Sequence, residues 1–254
     1  ERLVKVWQDQ TARGYPRMEP SPANYRDWQA TQTSFESLAA YHSVSANLVG
    51  EGEPERLDGT AVEAPLFAVL GIKPVLGRPF TEADNVVGAP RTAILSDALW
   101  RNRFGAEKTI LGRSIVIDDE PTTIIGVLPR GLAFPDRGTQ IWLPTRFDDA
   151  AYIDRTNNYL KVIGRLRPAV SIEQARGEMS AIARRLDAAY PRENSKSGIS
   201  LVRIRDEVSW QSRQMLWALF GAAFCVLLIA CTNLAHLLLA RALVRDRELT
   251  LRAA

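Results

Sequence analysis

The sequence has 254 residues, of which 46% are hydrophobic and 24% charged, a composition that can bury a sizeable core and that excludes a disordered chain. Its 32 basic and 29 acidic residues are scattered and sum to a formal net charge of +3, which argues against the concentrated basic patch of a nucleic-acid-binding protein. Both cysteines lie in one apolar segment near the C-terminus, so the remainder of the chain cannot be a disulfide scaffold.

The first predicted elements are a strand and a helix. Residues Leu3 to Trp7 predict the strand. Ser21 and Pro22 have the chemistry of a helix N-cap and first turn, and the helix is predicted to continue through Ala40. The apolar residues at helical spacing that support it are Tyr25, Trp28, Phe35 and Leu38.

Two further strands are predicted over Tyr41 to Val49 and Arg56 to Glu63, joined by a turn at residues 50–54. His42 is the one histidine outside the apolar segment. It follows the predicted helix end directly, which is typical of a surface or capping residue.

A small β-rich insertion is predicted from Gly77 to Leu143. It contains a short strand at Thr92 to Leu95 and a capped helix at Ser96 to Phe104. A hairpin is predicted over Ile115 to Val127, turning at Asp119 and Glu120.

The strand and helix theme then repeats. Leu160 to Leu166 predict a strand, Ser171 to Gln174 form a capping-box helix start, and Pro191 ends that helix before a last strand at Ile199 to Ile204. The helix has an apolar face of Ile172, Ala175, Met179, Ile182, Leu186 and Tyr190.

These elements predict an α+β fold in four parts. Residues 1–76 and 144–210 form two split βαβ halves that pair into an open-faced sheet with both helices on one side, similar to a ferredoxin-like arrangement. Residues 77–143 are the insertion, and residues 211–254 are a transmembrane helix with the start of a further segment.

Gln214 to Ala240 contain no Asp, Glu, Lys or Arg, and a helix of that length exceeds the ~30 Å hydrocarbon layer of a membrane. Trp210 and Trp217 lie where interfacial aromatic anchors are expected. The direction of crossing stays open, because four basic residues precede the span (Lys196, Arg203, Arg205, Arg213) and four follow it (Arg241, Arg245, Arg247, Arg252).

One stripe of this helix carries small and polar side chains at three- and four-residue spacings. Such residues permit close contact between membrane helices, and leaving the polar ones unpaired in hydrocarbon is costly. The stripe predicts packing against other membrane helices rather than a lone anchor. Its members are Ala218, Ala222, Cys225, Thr232, Asn233 and His236.

Motifs of catalysis are missing from the sequence. It has no G-x-x-x-x-G-K-[ST] loop, so the chain is predicted not to be an ATPase, and HExxH, GxSxG and paired CxxC patterns are also missing. Three acidic clusters lie in predicted turns, where solvated surface is a more frequent role than acid/base catalysis or cation binding: Asp118-Asp119-Glu120, Asp148-Asp149 and Asp206-Glu207. No enzyme activity, cofactor or metal is expected, and nothing predicts a deep ligand pocket.

Several strings in family order resemble the MacB-like periplasmic core domain: VLGIKP (69–74), LGRPF (76–80), AILSDALW (93–100), RFG (103–105) and IGVLP (125–129). Further strings resemble the junction into an FtsX-like permease domain: GRLRP (164–168), LIACTNLA (228–235), LLLAR (237–241) and RELTLR (247–252). The chain is most similar to the large duplicated permeases of acidobacteria. Individually the residues are structural, with Gly71, Gly77 and Gly105 expected at turns or helix C-caps.

This resemblance implies an ABC-type transporter permease subunit of the bacterial inner membrane, working in export or envelope mechanotransmission. ATP would be hydrolysed by a separate cytoplasmic subunit, and the soluble residues 1–210 would be periplasmic, with a porter-like part made of the two halves. Partners would be that ATPase, the bilayer and other permease helices, in a homodimer or an internally duplicated chain. The C-terminal end would be cytoplasmic, with Arg247, Glu248 and Arg252 placed for a possible ATPase contact. The alternative is a membrane-tethered scaffold protein that recruits envelope partners without transport.

Overall fold

A computed structural model describes residues 2–50 and 53–253, with side chains described for 2–50, 53–207, 215–238 and 241. The strands in this part are β1 (Leu3–Gln10), β2 (Tyr15–Met18), β3 (Phe35–Val49), β4 (Glu55–Val62), β5 (Leu76–Gly77), β6 (Thr92–Leu95), β7 (Ser114–Ile117), β8 (Glu120–Val127), β9 (Ile141–Pro144), β10 (Lys161–Leu166) and β11 (Gly198–Arg203). The α-helices are α1 (Pro22–Thr31), α2 (Leu66–Leu70), α3 (Asp97–Phe104), α4 (Ile172–Ala189) and α5 (Ile204–Ala253).

The strands form one mixed sheet in the order β11-β1-β10-β3-β4-β9-β6-β8-β5, with β2 beside β1 and β7 between β3 and β8. The 15-residue strand β3 connects its regions, because Phe35 to Tyr41 pair with β10 while Tyr41 to Leu48 pair with β4. β4 then pairs in parallel with β9, the entry to the insertion strands. The predicted α+β fold is confirmed.

Helices α1 and α4 cover one face of β1, β3, β10 and β11, as predicted for the two halves. Along β10, Val162 and Leu166 point into the core beneath these helices and Ile163 into the core on the opposite face, the period of two expected of a strand buried on both sides. The helix-side core consists of Val4, Val6, Tyr25, Trp28, Phe35, Leu38, Ala40, Leu160, Val162, Leu166, Ile172, Ala175, Met179, Ile182, Ala183, Ile199 and Leu201.

The first helix is shorter than predicted, and Phe35 to Ala40 belong to β3. The chain leaves the helix at Gln32, whose Oε1 accepts a hydrogen bond from the backbone of Phe35 at 2.8 Å. The backbone N–H groups of Thr33 and Ser34 donate to Glu178 on α4 at 2.6 and 2.9 Å. These side-chain acceptors replace the next helical turn, so the prediction of a helix through Ala40 is wrong.

The insertion contains the predicted strand, capped helix and hairpin. Ser96 caps α3, whose last residue is followed by a left-handed Gly105. The hairpin of β7 and β8 turns at Asp118 and Asp119, both with positive φ, one residue earlier than predicted. The insertion and the adjoining parts of β3 and β4 share one hydrophobic core, formed by Ala46, Leu48, Leu57, Ala93, Leu95, Leu99, Trp100, Phe104, Ile110, Ile115, Ile117, Ile124, Val127 and Ile141. The boundaries at residues 76/77 and 143/144 stay a prediction.

The short helix α2, missing from the predicted elements, covers part of the opposite sheet face. Its five residues are too few for a hydrophobic period to be visible. Leu66, Phe67 and Val69 are buried there with Ile163 of β10. Arg165, two residues further along β10 than Ile163, donates from Nε and Nη2 to the carbonyl of Val69 at 2.9 and 2.6 Å, and these hydrogen bonds hold α2 against the sheet.

The chain divides into two compact units, Glu1–Ile204 and Arg205–Ala254. The first contains the whole sheet, and the second consists of α5 from its second residue onward. The predicted turn at residues 50–54 falls in part on residues 51 and 52, outside the described residues.

Candidate functional site

Helix α5 is the candidate functional element of the second unit. It runs 50 residues from Ile204 to Ala253, roughly 75 Å at 1.5 Å per residue, and its sequence contains no proline that would break it. Met215–Leu238 is a stretch of 24 residues with mean hydropathy 2.3 and none of its apolar window buried. By length and composition it can cross a membrane, in agreement with the span predicted over Gln214 to Ala240.

The small and polar stripe lies on one face of this continuous helix. At 100° per residue its six members fall within an arc of roughly 100°, and Ile229 lies in the same arc. Larger apolar side chains such as Leu227 and Leu234 lie opposite. Every stripe residue is exposed in the described unit, so the face has no partner within it. The role of the stripe in helix packing stays a prediction.

The three polar residues of the stripe differ in their hydrogen bonding. The Thr232 hydroxyl donates to the carbonyl of Leu228 at 2.8 Å, one turn earlier, and is satisfied within its own helix. Among the described residues, the side chains of Asn233 and His236 have no such bond. In hydrocarbon these two groups need a partner from outside the helix.

The predicted ATPase-contact residues Arg247, Glu248 and Arg252 lie in the last turns of α5, which is helical through Ala253. Their side chains lie outside the described residues, as does that of the predicted interfacial anchor Trp210. The other anchor, Trp217, is 74% exposed, as an aromatic group facing lipid would be.

A buried polar network joins distant segments of the first unit. Its centre is Asn24 on α1, 2% exposed. Asn24 Nδ2 donates to Gln8 Oε1 at 3.0 Å and to Asn194 Oδ1 at 2.9 Å. Its Oδ1 accepts from Arg155 Nη1 at 2.7 Å and from Asn194 Nδ2 at 3.1 Å. Both donors and both lone pairs of the amide are therefore used.

Arg155 extends the network into an ion pair with the half-buried Asp27. Its Nη2 lies 2.7 Å from Asp27 Oδ2, and its guanidinium lies 3.4 Å from the ring centroid of Tyr190. Arg155 is only 8% exposed. The network thus connects β1, α1, the loop before β10 and the segment between α4 and β11. No feature of the sequence predicts this network, because its members show neither a motif nor a regular spacing.

Glu63 is a second buried polar group, located directly after β4. It accepts hydrogen bonds from the Tyr25 hydroxyl of α1 and, at 2.9 Å, from the backbone of Ala40. Burial raises the pKa of Glu63 to about 7, although both hydrogen bonds favour the ionised form and oppose the shift. Burial and the nearby Glu63 together raise the pKa of Tyr25 well above its ordinary value.

This raised pKa predicts a pH-dependent stability of the first unit. The pKa of Glu63 is higher in the folded chain than the ordinary 4.5, so its stabilising contribution is complete below about pH 4.5 and is lost as the pH rises through about 7. Between pH 5 and 8 the free energy of unfolding is expected to fall by at most about 3 kcal/mol from this group. Denaturant unfolding of the whole chain at several pH values, compared with Glu63→Gln, measures it. An equal pH slope in both proteins would exclude Glu63 as the cause.

Two of the three acidic clusters, Asp118-Asp119-Glu120 and Asp148-Asp149, have members with local partners. Asp118 accepts from the backbone and side chain of Asn47, both at 2.9 Å, Glu120 pairs with Arg91 at 2.6 Å, and Asp148 caps a short 3-10 turn. Within the described part of the chain, no group of three or more His, Cys, Asp or Glu side chains could hold a metal ion. His42 is a half-buried residue of β3 whose ring meets Tyr159 edge-on. It was predicted as a surface or capping residue, and the capping role is wrong because α1 ends at Thr31.

Comparison with known proteins gives one consistent result. Residues 1–182 match the family described as the MacB-like periplasmic core domain. The macrolide export ATP-binding/permease protein MacB of Burkholderia pseudomallei (strain 1710b) is 32% identical over 122 residues, which cover 47% of this chain and 17% of that protein. The chain therefore spans only a small part of that relative.

Two solved structures share the fold at low sequence identity. A domain described as part of a permease from Porphyromonas gingivalis matches with a TM-score of 0.61 at 16% identity, covering 80% of this chain and 90% of that domain. The periplasmic region of MacB from Actinobacillus actinomycetemcomitans matches with a TM-score of 0.57 at 14% identity, covering 84% and 92%.

Proposed function

The chain belongs to the MacB-like periplasmic core domain family, and from this premise we propose that it is the extracytoplasmic domain and one membrane helix of an ABC-type transporter permease subunit. In this proposal it transmits ATP-driven motion across the bacterial inner membrane, for export or for mechanical work in the envelope. The chain itself is not the motor. ATP is hydrolysed by a partner subunit, whereas the name of the Burkholderia relative joins ATP binding and permease in one protein.

The observation that carries the proposal is the continuity of α5. The strand β11 ends at Arg203 and α5 begins at the next residue, so no flexible linker separates the sheet from the helix in sequence. The helix then passes through the apolar span and continues 15 residues beyond Leu238. An unbroken helix is suited to carry a displacement from one side of a membrane to the other, because its backbone hydrogen bonds resist bending.

The polar stripe supports a membrane assembly rather than a lone anchor. Asn233 and His236 require hydrogen-bond partners in hydrocarbon, and Ala218, Ala222 and Cys225 allow another helix to approach closely on the same face. We assign this face to the other helices of the permease, from a second copy or from a duplicated part of the same protein. Residues 1–210 are then periplasmic and the end of α5 is cytoplasmic.

The cytoplasmic end supplies the contact with the motor in this proposal. Arg247, Glu248 and Arg252 lie within the 15 helical residues that follow the span, which extend roughly 22 Å at 1.5 Å per residue. That length reaches past the headgroup region, where a cytoplasmic ATPase can bind.

The test is co-purification of the full-length permease with its ATPase. Glu248→Ala combined with Arg252→Ala is expected to reduce the bound ATPase by roughly tenfold, as the loss of paired charges at an interface does. Arg241→Ala, a basic residue just after the span, is the matched control and is expected to retain the ATPase.

The scaffold alternative is separated by a flux measurement in reconstituted membranes. A flexible four-residue insertion is placed after Glu207 and, as a control, after Gly88 in an exposed turn. Transmission through α5 is supported if the first insertion stops substrate flux under ATP and the second does not. Partner binding without flux in the uninterrupted protein favours the scaffold. Flux that survives the insertion after Glu207 contradicts transmission through this helix.

A further inference from the structure

The insertion contains an open cleft of about 570 Å³ that no part of the proposed coupling uses. It lies between the start of α3, the loop after β8 and the segment that leads into β9. Its volume falls within the roughly 300 to 1,000 Å³ of small-molecule sites. Because its lining comes from three separate segments, no single sequence motif predicts it.

The rim of the cleft is cationic. Arg101 of α3, Arg130 and Arg137 line it, against a single lining carboxylate, Asp97. That carboxylate is already occupied, since Arg101 Nε donates to its Oδ2 at 2.8 Å. Neither Arg130 nor Arg137 has an acidic partner among the described residues.

The neighbouring carboxylate of Asp136 forms no ion pair with either of these two arginines among the described residues. Its Oδ1 accepts from the backbone N–H groups of Gly138 and Thr139, at 2.7 and 3.0 Å, in a local turn. Two guanidinium groups therefore remain available at the rim of the cleft, that of Arg130 before this turn and that of Arg137 within it.

The floor of the cleft is apolar. Its accessible apolar surface comes from Pro129 and Leu132, which are half-buried, whereas Leu128 and Trp142, which also line it, are 0% and 1% exposed. The indole Nε1 of Trp142 has no acceptor among the described residues.

We propose that this cleft binds an amphiphilic anion, a molecule with one phosphate or carboxylate group joined to a small apolar body. The anion is held by Arg130 and Arg137, whose planar donors suit the oxygens of either group, and the apolar body packs on Pro129 and Leu132. The proposal goes beyond the coupling function and does not rest on it. The ligand can come from solution or from the headgroup of a membrane lipid.

The test is calorimetric titration of the whole chain in phosphatidylcholine nanodiscs. The probes are dihexanoyl phosphatidic acid, dihexanoyl phosphatidylcholine and inorganic phosphate. The phosphatidic acid is expected to bind saturably, and at least roughly tenfold more tightly than the other two probes. Only this probe combines a net anionic group for the two arginines with an apolar body for the apolar surface of the cleft. Arg130→Glu combined with Arg137→Glu is expected to weaken its binding by roughly tenfold or more.

The matched control is Arg184→Glu combined with Arg185→Glu, two exposed arginines of α4 outside the cleft. This variant changes the net charge equally and is expected to bind like the original chain. Equal weakening in both double variants would reduce the effect to general electrostatic attraction and overturn the proposal. So would equal binding of the zwitterionic probe, or no saturable binding of the phosphatidic acid.

A second arm identifies the source of the ligand. Long-chain phosphatidic acid is placed in the nanodisc and the short-chain probe is titrated again. A loss of apparent affinity that is absent in the Arg130→Glu and Arg137→Glu variant shows that the cleft takes headgroups from the bilayer. An unchanged affinity shows that it takes the anion from solution.

Discussion

Replacing Asn24 by alanine is expected to lower the free energy of unfolding of the first unit by about 3 to 5 kcal/mol. The amide makes four hydrogen bonds, two from Nδ2 and two to Oδ1. Its removal leaves Gln8, Asn194 and one guanidinium donor of Arg155 buried without those partners. Asn24 and Asn194 are each 2% exposed, so solvent replaces the lost hydrogen bonds poorly and most of the desolvation cost remains.

Denaturant unfolding of the whole chain, followed by near-ultraviolet circular dichroism, measures this loss. Asn157→Ala, an exposed amide in the same loop as Arg155, is the control and is expected to change stability by less than about 0.5 kcal/mol. Asn24→Asp keeps the oxygen that accepts from Arg155 and Asn194 but places a second oxygen opposite the acceptors Gln8 Oε1 and Asn194 Oδ1, so it is also expected to destabilise the unit. Equal stability of the Asn24→Ala chain and the original would mean that the network is not a structural clamp.

A double-mutant cycle with Arg155→Met tests whether the network acts as a unit. If the Asn24 and Arg155 groups support each other, the double variant is destabilised by less than the sum of the single changes, by about 0.5 to 3 kcal/mol. Strict additivity would show that the ion pair to Asp27 holds Arg155 without help from the amide.

Helices and strands were predicted well from the sequence where the apolar residues kept one regular spacing throughout a single helix or strand. The amphipathic face of α4 and the capping box at Ser171 needed only local information, and both are present. The error at residues 35–40 arose because two different elements face one core. Tyr25 and Trp28 reach it from α1, while Phe35 and Leu38 reach it from β3, and their numbers happen to follow a helical period.

The candidate site divides in the same way. The stripe on α5 could be predicted from the sequence because residues three and four positions apart lie on the same face of a helix. The cleft, the Asn24 network and the Glu63 contact are built from segments far apart in the chain: Asn24 meets Asn194 across 170 positions. Such sites depend on tertiary pairing, which neither local spacing nor side-chain type predicts. Sheet order is similar, since the parallel pairing of β4 with β9 has no local signal.

Gly164 in β10 is the first residue of the family-like string GRLRP (164–168), and close packing around it leaves no room for a side chain. A Cβ placed on it would lie 2.4 Å from Phe35 Cδ1 and 2.6 Å from Leu38 Cδ2. The two neighbours are 0% and 2% exposed, so neither ring nor leucine can move into solvent. The next residues have contacts of their own: Arg165 donates to Val69, Leu166 is buried, and Arg167 donates to the carbonyl of Thr33 at 2.8 Å.

Gly164→Val is therefore expected to destabilise the first unit by about 3 kcal/mol or more, and Gly164→Ala by about 1 to 3 kcal/mol, through overpacking. Gly177→Ala is the control: it lies on the exposed side of α4 with open space around its Cβ, and there alanine is expected to stabilise by up to about 1 kcal/mol.

Phe35→Leu in the Gly164→Ala chain decides whether space is the cause. The smaller side chain removes the ring atoms that the new Cβ would meet. The double variant is therefore expected to lose less free energy of unfolding than the sum of the losses in the two single variants. Additive losses would mean that Gly164 is required for its backbone rather than for the room it leaves. Because its φ is not in the left-handed region, the packing explanation predicts the rescue.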